Sequence, residues 1–252
     1  MGREGEVKVK SLQKAMEVLE CFTQKQPLGV TEISEKLGLY KSNVHNILMT
    51  FTALGYLTQD DETGKFHLGV SVMTLSRAFR EGLDITKVAV PFMREIANEA
   101  GELIYLTIPK DDSVIYLEGI SPDNQRMVSK SVAGEDCKMY CTAVGKAMLA
   151  NMPKEEVEKC ISGKLEAYTE NTITDKKSLL EEIEKTRIRG YGIDDMEIMF
   201  GIKCVGVALL NHDGKVEGGL SISAPSLRMS DEKIELYANI LKEYAAKIQK
   251  ML

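Results

Sequence analysis

A short polar run, KSNVHN, carries side chains of the types that contact DNA. The amide groups of Asn43 and Asn46 can each pair with an adenine base through two hydrogen bonds. Ser42 and His45 can reach either a base edge or a phosphate oxygen, whereas the ammonium group of Lys41 suits a phosphate. These five residues form a candidate surface for reading double-stranded DNA.

The segments around this run have the pattern of a winged helix-turn-helix. TEISEKLGL predicts a short helix that ends at Gly38, and YKSNVHNILMTFTALGYL predicts a second helix with the polar run on one face. The other face carries the apolar residues Val44, Ile47, Leu48, Phe51 and Leu54. A hairpin predicted over residues 56–68 has the size of a wing. In this fold the second helix enters the major groove, whereas the simpler alternative is a small helical subdomain with a solvated polar face.

A second group of residues, in the C-terminal half, could bind a small anion. Thr142 precedes a predicted helix of small residues, so the backbone N–H groups of Ala143, Val144 and Gly145 are free to face a ligand. The helix dipole adds to the attraction for negative charge. Taken alone, this segment is explained more simply as a capped helix without a ligand.

The elements around this second group indicate an α+β fold. From Asp84 onward, predicted helices alternate with strands and hairpins, which favours an antiparallel sheet with flanking helices. The predicted elements are a helix over 88–100, strands over 103–108 and 113–117, an extended stretch over 126–131, helices over 142–150 and 178–189, a hairpin over 204–223 and a final helix over 231–251. Ser11 is predicted to cap the first helix of the chain.

Segments in both halves resemble the IclR family of bacterial transcription regulators. SLQKAMEVLECF and LGVTEISEKLGLYKSNVHNILMTFTALGYL resemble its DNA-binding half, and CTAVGKAMLA, TRIRGYGIDDMEIMFGIKCVGVALLNHDGKV and LSISAPSLRM resemble its effector-binding half. The resemblance runs from about Lys10 to Met229. It implies a winged helix-turn-helix domain over 1–69, a linker helix over 70–83 and a GAF/PAS-like effector-binding domain over 84–252.

The resemblance also implies site residues and a function. Asp194, Cys204, Ser221 and Ser223 match family positions that line the effector pocket, and the segment after Thr142 matches the effector-binding loop. Ser221 and Ser223 are two residues apart on a predicted strand, so they share a face. The implied function is that of a non-enzymatic regulator without a cofactor, whose binding to operator DNA is modulated by a small-molecule effector, expected to be a small organic acid.

This sequence departs from the family at two places. Asn43 and Asn46 stand where the family commonly has threonine and arginine, which changes the base contacts to be expected. Lys138-Met139-Tyr140 stands where the family often has Pro-Leu-His. A lysine and a tyrosine beside the pocket could recognise a carboxylate or an aromatic effector.

The charge distribution favours repeated DNA contacts over one strongly basic surface. The net charge is −6, which divides into +1 over residues 1–80 (10 basic, 9 acidic) and −7 over residues 81–252 (22 basic, 29 acidic). Two-fold repetition would double the few basic contacts, so a homodimer or a dimer of dimers on a palindromic or pseudo-palindromic operator is expected. The stripe Val72, Leu75 and Phe79 is expected to join two subunits, with packing on its own domain as the alternative.

Two other functions are weighed against this one. A thiol-redox or metal-responsive regulator would use Cys137, Cys141 and Cys204, with His212 as a further ligand, but no C-x-x-C pair supports a metal site and none is expected. An enzyme with a winged-helix dimerisation domain would need a G-x-G-x-x-G loop or a catalytic triad, and neither pattern occurs. The absence of an apolar run of about 18 residues and of a signal-like N-terminus predicts a cytoplasmic protein without a membrane partner.

Overall fold

The computed structural model describes residues 7–123 and 132–252. The start of the chain and the extended stretch predicted over 126–131 lie outside these ranges. The chain divides into two compact units, Met1–Gly82 and Leu83–Leu252. Among the described residues, no helix is both long and apolar enough to cross a membrane.

The first unit is a helical bundle with a small hairpin. Its elements are α1 (Lys10–Gln24), α2 (Val30–Leu37), α3 (Lys41–Ala53), β1 (Leu57–Gln59), β2 (Phe66–Leu68) and α4 (Ser71–Glu81). One apolar core joins α1, α2, α3 and the hairpin, and its fully buried side chains include Val18, Phe22, Ile33, Val44, Leu48, Leu57 and Phe66. The predicted helix-turn-helix and wing are thereby confirmed as structure.

Local interactions fix the ends of these elements. The Glu32 carboxylate accepts the Gly29 N–H at 2.9 Å, which satisfies one of the free amides at the start of α2. Gly38 ends α2 in the left-handed region at a φ of 65°, where a residue without a Cβ is favoured. The prediction that Ser11 caps α1 is wrong, because the helix begins one residue earlier, at Lys10.

The second unit is an antiparallel sheet covered by helices on both faces. Among the described residues its strands lie in the order β5-β4-β3-β8-β7-β6, and all neighbours are antiparallel. The strands are β3 (Leu103–Lys110), β4 (Ser113–Ile120), β5 (Asp136–Lys138), β6 (Gly192–Asp195), β7 (Ile202–Leu210) and β8 (Val216–Pro225). The helices are α5 (Asp84–Ala100), α6 (Ala143–Ala150), α7 (Lys154–Cys160), α8 (Lys176–Arg189) and α9 (Asp231–Gln249). This architecture confirms the predicted α+β class.

Alternation along the strands separates two environments. Side chains such as Ile104, Val205 and Ile222 are fully buried against α5 and α9 on one face. Because successive strand residues point to opposite faces, their neighbours Tyr105, Cys204 and Ser223 face the side that α6 covers. The polar residues predicted to bind a ligand therefore share one face of the sheet.

Candidate functional site

The polar face of α3 is open to solvent. Val44 and Leu48 are completely buried beneath the helix. The five side chains predicted to contact DNA are all exposed on α3: Lys41, Ser42, Asn43, His45 and Asn46. Tyr40, which immediately precedes the helix, is 82% exposed and was not predicted as part of this surface. The sequence did offer one sign of this, because Tyr40 is an aromatic residue directly before the polar run.

The apolar stripe on α4 is largely uncovered within the first unit. Leu75 is 57% exposed and Phe79 54% exposed, although both are large hydrophobic residues. Met73, on the same helix, is also exposed, whereas Val72 is half-buried. The alternative that the whole stripe packs on its own domain is therefore wrong for Leu75 and Phe79.

A cavity of about 670 Å³ lies on the α6 side of the sheet in the second unit. Six of the seven residues predicted to bind an effector line it: Ala143, Val144, Asp194, Cys204, Ser221 and Ser223. Strand register brings three of them together, because Asp194 lies opposite Cys204, and Cys204 lies opposite Ser223. The Cys204 thiol donates to the Ser223 hydroxyl at 3.3 Å.

The first turn of α6 forms one end of this cavity. Ala143 and Val144 occupy the first two helical positions, whose N–H groups have no partner within a helix, and no other partner for them occurs among the described residues. Gly145 is different: it does not line the cavity, and its N–H donates to the Thr142 hydroxyl at 3.1 Å. Its prediction as an anion donor is wrong because the capping side chain already uses this amide.

Glycines in the sheet allow α6 to lie directly against the strands. A Cβ added at Gly206 would be 2.6 Å from the Val144 nitrogen, and one added at Gly192 would be 2.1 Å from the Ala143 oxygen. Real Cβ atoms do not approach other atoms so closely, so larger residues at these positions would displace the helix. The strand glycines therefore determine how close the amides of the first turn come to the serines.

Asp194 is an almost fully buried carboxyl group. Only 4% of the residue is exposed, and this burial raises its pKa from 3.8 to about 7. The Glu197 N–H donates to its Oδ1 at 2.7 Å and partly offsets that effect. Glu197 in turn forms a buried ion pair with Lys146 of α6, a link that the sequence analysis missed. The carboxyl group is consequently protonated in an appreciable fraction of molecules near neutral pH.

The described structure does not favour a reactive or metal-binding cysteine centre. Cys137 and Cys204 line the cavity, whereas Cys141 is buried in the core and its thiol donates to the Lys138 carbonyl at 3.5 Å. Burial raises the pKa of all three thiols, which disfavours the reactive thiolate. In the described ranges, no group of three or more potential metal ligands occurs, and His212 is exposed beside Asp213.

Two further expectations for the pocket are wrong. The Lys138 ammonium group pairs with the Asp112 carboxylate at 2.7 Å, and the Tyr140 hydroxyl donates to the Glu166 carbonyl at 2.7 Å. Neither side chain lines the cavity. Their partners come from distant parts of the chain, so local sequence gave no indication that these groups were already occupied.

The far end of the cavity consists of residues that the sequence analysis missed. Arg228 donates to Glu102 Oε2 at 2.6 Å, and both residues line the cavity. Tyr105 and Tyr116 form part of the wall, with ring centroids 5.1 Å apart in an edge-to-face arrangement. Tyr105 lies opposite Ser221 on the paired strands β3 and β8, so its ring is beside the predicted serines. The far end instead depends on contacts across the sheet.

Comparison with known proteins gives consistent matches over both units. Residues 11–61 match the model of the IclR helix-turn-helix domain, and residues 78–250 match that of the bacterial transcriptional regulator IclR C-terminal domain. The HTH-type transcriptional regulator KdgR of Escherichia coli K12 is 34% identical over 242 residues, which cover 95% of this chain and 91% of KdgR.

Two solved structures extend the comparison. The Thermotoga maritima IclR structure has 30% identity and a TM-score of 0.74, covering 96% of this chain and 98% of that one. An IclR homologue from Microbacterium hydrocarbonoxydans, solved in complex with 4-hydroxybenzoate, shares the fold with a TM-score of 0.81 at 22% identity. That alignment covers 95% of this chain and 98% of the homologue.

Proposed function

This chain belongs to the IclR family of bacterial transcriptional regulators, and from this premise we propose that its effector is a small organic acid bound in the cavity beside α6. The chain is a DNA-binding regulator with an effector-binding C-terminal domain, not an enzyme. In this proposal residues 1–69 form the DNA-binding domain, 70–83 the linker and 84–252 the effector-binding domain. The protein acts in the cytoplasm, where the operator lies.

The main support is the meeting of complementary groups at one end of the cavity. The amides of Ala143 and Val144 offer unpaired donors and the positive end of a helix dipole, which suit a carboxylate. The Ser221 and Ser223 hydroxyls add donors from the sheet. Asp194 in its protonated form donates a hydrogen bond to the ligand and does not repel it. The 4-hydroxybenzoate complex of the Microbacterium homologue is consistent with an acid ligand.

Titration calorimetry with a panel of carboxylic acids tests this site. The double variant Ser221→Ala/Ser223→Ala should bind the best acid of the panel at least tenfold more weakly, because each hydroxyl contributes about 1 kcal/mol. Ser162→Ala is a matched control, since its hydroxyl donates to the nearby Lys159 carbonyl on an exposed turn outside the cavity. Equal affinity of the double variant and the control, with both folds intact, would refute the assignment.

We also propose that α3 reads the operator and that α4 joins two subunits. Exposure of all five polar side chains on α3 supports the first part, and the uncovered Leu75 and Phe79 support the second. A homodimer, or a dimer of dimers, would place two copies of α3 on a palindromic or pseudo-palindromic operator. The regulator is proposed to have two conformations, which differ in the spacing of the DNA-binding domains. The acid changes operator affinity only to the extent that it binds one of these conformations more tightly than the other.

A further inference from the structure

The cavity extends well beyond the groups that would hold a carboxylate. The α6 turn packs near Gly206, which lies opposite Ser221 on β8. From Ser221 the cavity continues along β8 past Ser223 to Pro225 and then to Arg228. Four residues of strand cover roughly 13 Å. An acid of two or three carbons held beside Ser221 would leave the far end without a ligand contact.

The far end is polar and electrically balanced. Glu102 directly precedes β3, and its side chain is only 6% exposed, while the Arg228 side chain is 54% exposed. The two are joined by a 2.6 Å hydrogen bond. The planar guanidinium group has five N–H donors, so this single contact leaves donors that can reach a ligand.

We propose that Glu102 and Arg228 form a second subsite, which binds a hydroxyl group of an extended hydroxy acid whose carboxylate lies at α6. This proposal rests on the proposed function of the cavity and defines its ligand class. A hydroxyl can donate to the Glu102 carboxylate and accept from the Arg228 guanidinium at the same time. It thus satisfies both members of the pair without adding charge.

Other terminal groups fit this subsite less well. A methyl group would remove water from the ion pair and return no hydrogen bond. A second carboxylate would meet Arg228 but would be repelled by Glu102, and an ammonium group would have the opposite conflict. The hydroxyl is therefore distinguished by its hydrogen-bonding chemistry and not by size.

A matched series of six-carbon acids tests the proposal. Hexanoate, 6-hydroxyhexanoate, 6-aminohexanoate and adipate share one carboxylate and a chain length but differ at the other end, and pyruvate represents a short acid. Their dissociation constants are measured on the full-length protein by calorimetry or ligand-detected NMR. We expect 6-hydroxyhexanoate to bind about tenfold more tightly than hexanoate, from one or two added hydrogen bonds.

Variants assign this preference to the subsite. In Arg228→Met and Glu102→Gln the preference for the hydroxyl over the methyl end should fall to about twofold or less, while hexanoate affinity changes little. Arg94→Met, on the exposed side of α5, is the matched control and should keep the preference. Glu102→Gln preserves the side-chain shape, so the test does not depend on Arg228→Met folding normally. Circular dichroism checks the fold of each protein.

The remaining outcomes distinguish a failure of the second subsite from a failure of the proposed acid-binding function. If the methyl, amino or carboxylate end binds as tightly as the hydroxyl end, or if the variants keep the preference, the second subsite is wrong. If pyruvate binds and no six-carbon acid does, the subsite is wrong while the acid-binding function stands. If neither the short nor the long acids bind the wild-type protein, the proposed acid function itself fails.

Discussion

Replacing Asp194 with asparagine should make the stability of the second unit less sensitive to pH. Burial raises the pKa of this carboxyl group from 3.8, its ordinary value, to about 7 in the folded protein. Asparagine keeps an oxygen that can accept the Glu197 N–H, which lies 2.7 Å from Asp194 Oδ1. The substitution therefore removes a buried charge and retains the shape and the hydrogen bond.

The size and sign of the effect follow from the two pKa values. A tenfold change in an acid dissociation constant corresponds to about 1.4 kcal/mol, so ionised Asp194 lowers the free energy of unfolding by up to ~4 kcal/mol. Since the folded state holds this proton more tightly than the unfolded chain, stability falls as the pH rises from about 4 to about 7. Above about pH 7 the free energy of unfolding falls no further from this group.

Urea unfolding followed by circular dichroism at several pH values measures this difference. Asp194→Asn should nearly equal wild type at about pH 4 and exceed its free energy of unfolding by up to ~4 kcal/mol at about pH 8. Asp195→Asn is the matched control, because Asp195 is the next residue in β6 and its side chain is half exposed beside Lys203. A stability difference between Asp194→Asn and wild type that does not change with pH would refute the reasoning.

The other predictions concern DNA binding, assembly and packing. Asn46→Ala should lose about 1–3 kcal/mol of discrimination at one base pair, whereas Lys41→Ala should reduce the salt slope of operator binding by about one unit, both measured by fluorescence anisotropy. Phe79→Asp should weaken subunit association by placing a charge in an apolar seam, and an unchanged mass in light scattering would contradict this. Gly206→Ala should lower the free energy of unfolding, measured by thermal unfolding, by about 1–3 kcal/mol, because the added Cβ crowds α6. Gly163→Ala should leave it unchanged, because a Cβ added there meets nothing within 4 Å.

The DNA-binding half could be predicted well because its pattern is local. The spacing of Val44 and Leu48 defines the buried side of α3, so the exposed side follows from helix geometry alone. Similarly, the alternation of Ser221 and Ser223 assigns both to one sheet face. In each case the side chain's direction depends on only a few neighbouring residues.

The far end of the cavity could not be predicted because it depends on distant contacts. Glu102 and Arg228 are 126 residues apart and meet because β3 and β8 pair with Leu103 opposite Ser223. Whether the Gly145 N–H was free for a ligand depended on the orientation of the Thr142 hydroxyl, which accepts its hydrogen bond. Sequence spacing defines helices and strand faces, but it does not define which groups use their hydrogen-bonding capacity elsewhere.

Because α6 packs against strand glycines that have no side chain, this protein is a suitable scaffold for a biosensor. At Gly192 and Gly206 the helix is located by main-chain atoms, so its amides should keep their position when other cavity residues are exchanged. Another part of the cavity wall is formed by side chains, among them Tyr105 and Arg228, which can be replaced one at a time. A library that varies this wall and leaves the glycines unchanged should yield detectors for new acids that retain a common carboxylate anchor.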